Sequence, residues 1–305
     1  LRGKAQEMRT IRVALFELAA AVRTRRAIVL VALYLAASLL GMSGAITALG
    51  KMEDRLAEIL QVEKVEGKSG VVSAALWKSK PFQHLVRSAV GDSLIYDDIV
   101  GKHPAELIYA WIVFLAVPLL TVLVATRRVA EEVKSGAAKY MLLRVTRLEW
   151  TLGKYLGIAL LMLVGLLIGA VAAWIVAAFR LSGADIPALL PAMIVWSFKA
   201  WFLSLAWLGL ALGVSHLFKS GAKADAVAIL LMIAFSVVPA ILKGFGSAWL
   251  GGKLLALVRL FPSSVDDALW RSSFMPVAAS AMWLLMLGLL YLSIGHAVFA
   301  RRDVR

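Results

Sequence analysis

The sequence predicts an all-α integral membrane protein with six transmembrane helices and both termini on the cytoplasmic side. Three observations carry that expectation. Of 305 residues 61% are hydrophobic, and the mean hydropathy is +0.84. That is too apolar for a soluble domain. Six long apolar runs appear: Ala27–Leu49, Leu107–Ala125, Tyr155–Phe179, Pro187–Leu217, Ala226–Leu242 and Met275–Val298. They run from 17 to 31 residues, against the roughly 20 a helix needs to cross the hydrocarbon layer. Finally, the net charge of +14 is unevenly placed. With the N-terminus inside, the inner segments hold Arg2, Lys4, Arg9, Arg12, Arg23, Arg25, Arg26, the basic loop after the second run, Lys219, Lys223 and the Arg301–Arg305 end. The largest outer segment, 50–106, balances its cations with acids such as Glu53, Asp54, Glu58, Asp97 and Asp98. This asymmetry is the positive-inside signature. The basic pI therefore reports orientation, and no aromatic-interleaved basic face points to nucleic acid.

Taken in order, residues 1–7 read as an upstream extension, with Met8 as a start. Residues 10–26 form an amphipathic interfacial helix. Val13, Leu15, Phe16, Leu18, Ala19 and Val22 give an apolar face, flanked by Arg12, Glu17, Arg23 and Arg26 near anionic head groups. No cleavable signal peptide of the usual form is present, because the first apolar run is too long and starts too late. The outer segment 50–106 carries two helical patterns, Met52–Leu60 and Phe82–Val90, with a turn at Gly67–Gly70 between them. It is too small and polar for a large core of its own, and caps the outer mouth or meets an extracytoplasmic partner. His84 and His103 are too isolated to suggest a metal.

Pro118 frees a carbonyl in the second span and invites a kink. Gly165/Gly169 and Gly209/Gly213 have the small-xxx-small spacing of close helix packing, within the subunit or at a dimer seam. Lys199 is the fixed charge well inside an apolar run. It either snorkels outward past Trp196, with Ile186–Ile194 broken by Pro187 and Pro191 and laid along the surface, or serves a substrate path or ion pair. The segment 243–271 is unusually apolar and suggests a re-entrant hairpin, with a helix start at Ser263–Asp266. The absence of cysteine excludes disulfides and thiolate metal sites.

The polar stretch Thr126–Lys154 is the functional focus. It is a basic insert between two spans, with Ala138, Met141 and Leu142 as an apolar stripe on short helices either side of Gly136. Such a segment suits a docking surface or an ordinary orientation-setting loop.

Here the residues resemble the permease subunit of the type-two export class of ABC transporters. Those chains begin with an inner amphipathic helix bearing a Glu and several Arg, matched by Glu17, Arg23, Arg25 and Arg26. After the second span they carry E-x-x-x-G-T…L-L…P-x-x-R…G-K. This chain has Glu132, Gly136, Leu142, Leu143, Arg147, Gly153 and Lys154, with Ala137 for the usual Thr and Arg144 for the usual Pro. The F-x-R-R-D ending is matched by Phe299, Arg301, Arg302 and Asp303.

The resemblance implies a cytoplasmic coupling helix docked on a separate ATPase, with Glu131, Glu132, Lys139 and Arg147 as charged contacts and Gly136 as the bend. It implies no catalytic or cofactor residue in this chain; ATP and Mg are bound by two partner ATPase subunits. A second copy or a related permease completes the unit, in lipid of a bacterial cytoplasmic membrane. The Gly67-Lys68-Ser69 fragment lacks the first glycine of a nucleotide loop. Two alternatives stand: a non-transporting membrane anchor or sensor, and an intramembrane hydrolase built on Glu131–Glu132. The apolar lateral surfaces favour a lipid-like, peptide or other hydrophobic cargo. With no native cysteine, Ser135→Cys should resist a membrane-impermeant maleimide added to intact cells and react after permeabilisation. Labelling from outside would invert the topology.

Overall fold

The fold comes from a computed structural model that describes residues 2–23, 25–60, 80–90, 93–100, 102–181, 186–249 and 258–301. Among them the elements are helical: α1 (Arg2–Arg23), α2 (Arg25–Leu60), α3 (Lys80–Val90), α4 (Ser93–Ile99), α5 (Pro104–Ser135), α6 (Ala137–Leu142), α7 (Arg147–Arg180), α8 (Ile186–Leu217), α9 (Gly221–Trp249) and α10 (Phe274–Ala300). Two 3-10 turns, Pro262–Ser264 and Asp266–Trp270, precede α10. Six helices are long and apolar enough to cross a membrane: the Ile28–Lys51 part of α2, then α5, α7, α8, the Gly221–Leu242 part of α9, and α10.

α8 is the hub. Its sequence is apolar on every side, as expected of a helix surrounded by protein, and every residue from Leu203 to His216 is buried. α5, α7, α9 and α10 all pack on it. Glycine sets how closely α10 approaches. A Cβ at Gly209 would overlap the Gly288 carbonyl, and one at Gly213 would lie 2.5 Å from the Tyr291 carbonyl oxygen. Gly209 and Gly213 are thus spent within the subunit. Gly169 likewise meets the Tyr34 ring, whereas Gly165 faces open space.

Hydroxyl groups add polar ties inside the bundle. The Ser215 hydroxyl of α8 accepts from the backbone N–H of Val129 (3.2 Å) and Ala130 (3.1 Å) in α5. Tyr109 and Ser197 hydroxyls lie 2.7 Å apart, joining α5 to α8. α5 runs on through Pro118 to Ser135 as one helix.

Several boundaries differ from the sequence expectation. α1 begins at Arg2 rather than residue 10, and Arg25 and Arg26 already belong to α2. Pro187 and Pro191 do not break the start of α8, which is one helix from Ile186 to Leu217. Pro187 lies in the first turn, where the N–H would have no helical acceptor, and Pro191 is carried within the helix, so the break expected over Ile186–Ile194 does not occur. Ser263–Asp266 forms 3-10 turns instead of a helix start. The chain from Arg271 to Ser273 is irregular, and α10 starts at Phe274. α9 extends through Pro239 to Trp249, longer than the 226–242 run. Residues 250–257 and the Gly67–Gly70 turn lie outside the described residues, as do Arg302 and Asp303.

The bundle has a basic face, holding α1, α6 and the Lys219–Lys223 turn, and an opposite face. On the latter, Val86, Ile95, Tyr96 and Ile99 of α3 and α4 pack with Leu49 and Leu107. His103 is the N-cap of α5, its Nδ1 accepting from the Ala105 N–H at 3.2 Å. Gly209→Ala should lower thermal stability by about 1–3 kcal/mol through overpacking. Gly165→Ala, in open space, should gain about 0.5–1 kcal/mol from helix propensity. Melting of both variants in one detergent checks the contrast.

Candidate functional site: the basic elbow

α5, α6 and the first turns of α7 form a helical elbow on the basic face, with little free loop. α5 ends because Gly136 turns left-handed, at φ 78°, and its N–H bonds the Val133 carbonyl. A side chain would strain that turn. α6 follows at once. α7 starts with a capping box: the Thr146 hydroxyl accepts from the Glu149 N–H (3.3 Å), and the Glu149 carboxylate accepts from the Thr146 N–H (2.7 Å). The T-x-x-E spacing of Thr146 and Glu149 announces that cap, and sequence reading missed it.

The expected apolar stripe faces inward. Ala138 is buried, and Met141 and Leu142 pack half-buried on the cluster that holds Trp150 and Val129. Van der Waals contact with the bundle outweighs exposure to solvent for these side chains. The outward side of the elbow is Lys139, Tyr140, Leu143 and Arg144, all exposed. Tyr140 and Leu143 are 76% and 83% exposed, which is unusual for an apolar pair on so short an element.

The charged residues singled out from sequence separate into two groups. Lys139 points outward and Glu131 is exposed, though Glu131 lies 3.9 Å from Arg127, which also pairs with Asp225 at the start of α9. Glu132 and Arg147 are turned into the fold. Arg147 donates to the carbonyls of Phe299 (2.9 Å) and Ala300 (2.6 Å) and lies 5.5 Å from the Phe299 ring centre. It therefore caps the end of α10, where a helix presents unbonded carbonyls and partial negative charge. Glu132 binds Lys154 at 2.6 Å. The same ammonium pairs with Glu17 of α1. Lys154 is fully buried and Glu17 nearly so. A buried lysine is stable only with partners of this kind. Arg9 adds a second tie from α1, 3.7 Å from Glu149. The side chains of Arg23 and Arg26 lie outside the described residues.

Glu131 and Glu132 thus address different cations, Arg127 and Lys154. They do not converge on a shared point among the described residues. A second polar cluster was not anticipated. The Thr151 hydroxyl lies 3.2 Å from His216 Nε2 and 3.0 Å from His296 Nδ1, while His216 Nδ1 donates to the Leu212 carbonyl at 2.6 Å. It joins α7, α8 and α10 beneath the elbow. One threonine and two histidines distant in sequence give no spacing signal, so only the packing reveals it.

Lys199 lies far from the elbow. Its ammonium donates to the Arg271 carbonyl (2.8 Å) and sits 4.3 Å from the Trp196 ring centre. Arg147→Ala should lose the α10 cap and about 1–2 kcal/mol of stability, with Arg147→Lys intermediate because one amine cannot reproduce the fork. Thermal unfolding of the three proteins measures the series.

Residues 11–304 match the family described as ABC-2 family transporter protein. A comparison with curated proteins returns no match. With six membrane-length helices and a family match over nearly its whole length, the chain belongs to the ABC-2 transporter family, as a multi-pass permease subunit of an ABC transporter.

Proposed function

We infer that this permease subunit is the membrane half of an ATP-driven exporter, and that a cassette ATPase docks on the elbow from the cytoplasm. The outward face of α6 carries this reading. Tyr140 on the helix and Leu143 at its C-cap stand exposed beside Lys139 and Arg144, while the other side of the helix is packed against the bundle. An aromatic and an aliphatic side chain ringed by cations suit a groove on a partner. The packed inner side suits transmission of force, because a helix seated on α5 and α7 carries a push into both spans.

In this reading two ATPase subunits bind ATP and Mg, and their closure drives paired permeases between two states by rigid-body motion. The second permease is another copy or a related chain. The working unit sits in a bacterial cytoplasmic membrane with the elbow inside, in accord with the positive-inside charge pattern. Glu131 and Lys139 remain contact candidates by exposure. Glu132 and Arg147 act through the shape of the elbow, since their charges are engaged within it. Gly136 supplies the bend.

The test is copurification with a co-expressed cassette ATPase from the same genome. Tyr140→Ala combined with Leu143→Asp should abolish association while leaving the melting temperature of the permease unchanged. Undiminished association would remove α6 as the docking helix.

A further inference from the structure

Glu17, Glu132 and Lys154 come from three different helices, α1, α5 and α7. In sequence they are scattered, separated by 137 and 22 positions from the lysine. In the fold they meet at one ammonium with no exposure to solvent. The surrounding contacts show how closely the partners are held. Gly153 and Gly157 flank Lys154 on the α7 surface that receives α1. A Cβ at Gly157 would lie 2.7 Å from the Ala14 carbonyl oxygen, and one at Gly153 would lie 3.1 Å from that of Thr10. The nearest contact at Gly153 is the Val13 side chain, at 2.5 Å, so the two helices meet through backbone and one short apolar side chain, closely enough that a slip would clash. Lys154 also packs 4.9 Å from the centre of the Trp150 ring, which leaves its chain little freedom.

α1 is two-sided. Val13, Ala14 and Glu17 face α7 and are buried, while Met8, Ile11, Leu15 and Phe16 are exposed. The exposed side is apolar and its helix is basic, the pattern of a segment lying in the membrane interface. α1 is thus a body gripped by protein on one side and by lipid on the other.

On the reading that an ATPase docks on α6, we propose that Lys154 is a positioning residue that locks α1 to the elbow, so that the interfacial helix and the docking helix move as one body. Glu132 sits three positions before the Ser135 end of α5, next to the bend at Gly136. Any shift of the elbow displaces Glu132, and the shared ammonium passes that shift to Glu17. Without the lysine the two carboxylates repel, and α1 loses the charged joint while keeping its glycine seat and the Arg9–Glu149 tie. Motion of the elbow then no longer carries α1 through the lipid interface.

The cysteine-free chain allows a direct test. Spin labels at Arg12→Cys on α1 and Ser135→Cys at the end of α5 both fall on exposed positions. In nanodiscs of zwitterionic and anionic lipid, the isolated permease should give one narrow label-to-label distance. Lys154→Met should replace it with a broad distribution, and Lys154→Arg should restore the narrow one. Glu17→Gln, which leaves the lysine one carboxylate, should broaden it as well and serves if Lys154→Met does not fold. A narrow, unchanged distance in the foldable variants overturns the joint. The second arm uses the complex with the ATPase. Lys154→Met should still copurify with it, and should lose the ATP-and-vanadate-driven change in mobility of a single label at Arg12. Retention of that change also overturns the proposal. Failure of the ATPase to bind the unaltered permease overturns the docking reading alone, because the distance measurement needs no partner.

Discussion

The close backbone approach of α8 and α10 is the constraint on which the rest of the bundle depends. In a bilayer, burying leucine against leucine gains little over leucine against lipid, so helices associate through short-range packing. Gly209, Gly213, Gly288 and Gly295 supply that packing by removing side chains where the two helices touch. Once α10 is seated, α8 is enclosed from Leu203 to His216 and can carry small polar groups there. Ser215 reaches two α5 amides, and His216 takes part in the Thr151–His296 cluster.

The basic face is organised differently, by charge. Placing an ammonium out of water is costly, and the cost is offset only by carboxylates held at hydrogen-bond distance. Lys154 satisfies that condition with partners from α1 and α5, which makes α1 part of the fold rather than an appendage. Arg147 does the corresponding work at the first turn of α7, tying it to the end of α10. The elbow is therefore braced from two directions, with its polar braces inward and Tyr140 and Leu143 outward. A brace of this kind gives specificity of position, which a purely apolar contact between sliding helices does not.

On the opposite face, Lys199 and its neighbours show how a charge in an apolar run is accommodated. The side chain turns past Trp196 to the Arg271 carbonyl at the end of the second 3-10 turn. Trp196 in turn donates to Glu106 at 2.8 Å, and Phe114, Trp196 and Trp270 form an aromatic cluster with centroids 5.1–6.2 Å apart. Lysine, tryptophan and the 3-10 turns thus hold the α9–α10 connection against α5 and α8. The partner of Lys199 is a carbonyl that lies 72 residues further along the chain, which the periodicity of its own run does not reveal.

Hydropathy and charge placement alone determined the class of this protein. Apolar runs near the length of a bilayer crossing have few other uses, and the small residues Gly209, Gly213, Gly153 and Gly136 were visible as spacing or motif. Pattern also located the elbow, because a basic insert between two spans stands out from its surroundings. It could not say which side of a short helix faces inward: Met141 and Leu142 looked like a docking stripe, but the neighbouring bundle offered them packing. Nor could it show that Glu132 and Arg147 are engaged internally, since Lys154, Glu17 and the Phe299 carbonyl belong to other helices. Local periodicity is a property of one segment and is written in the sequence. The partners of a buried charge come from several segments, and only their arrangement in space decides which of them meet.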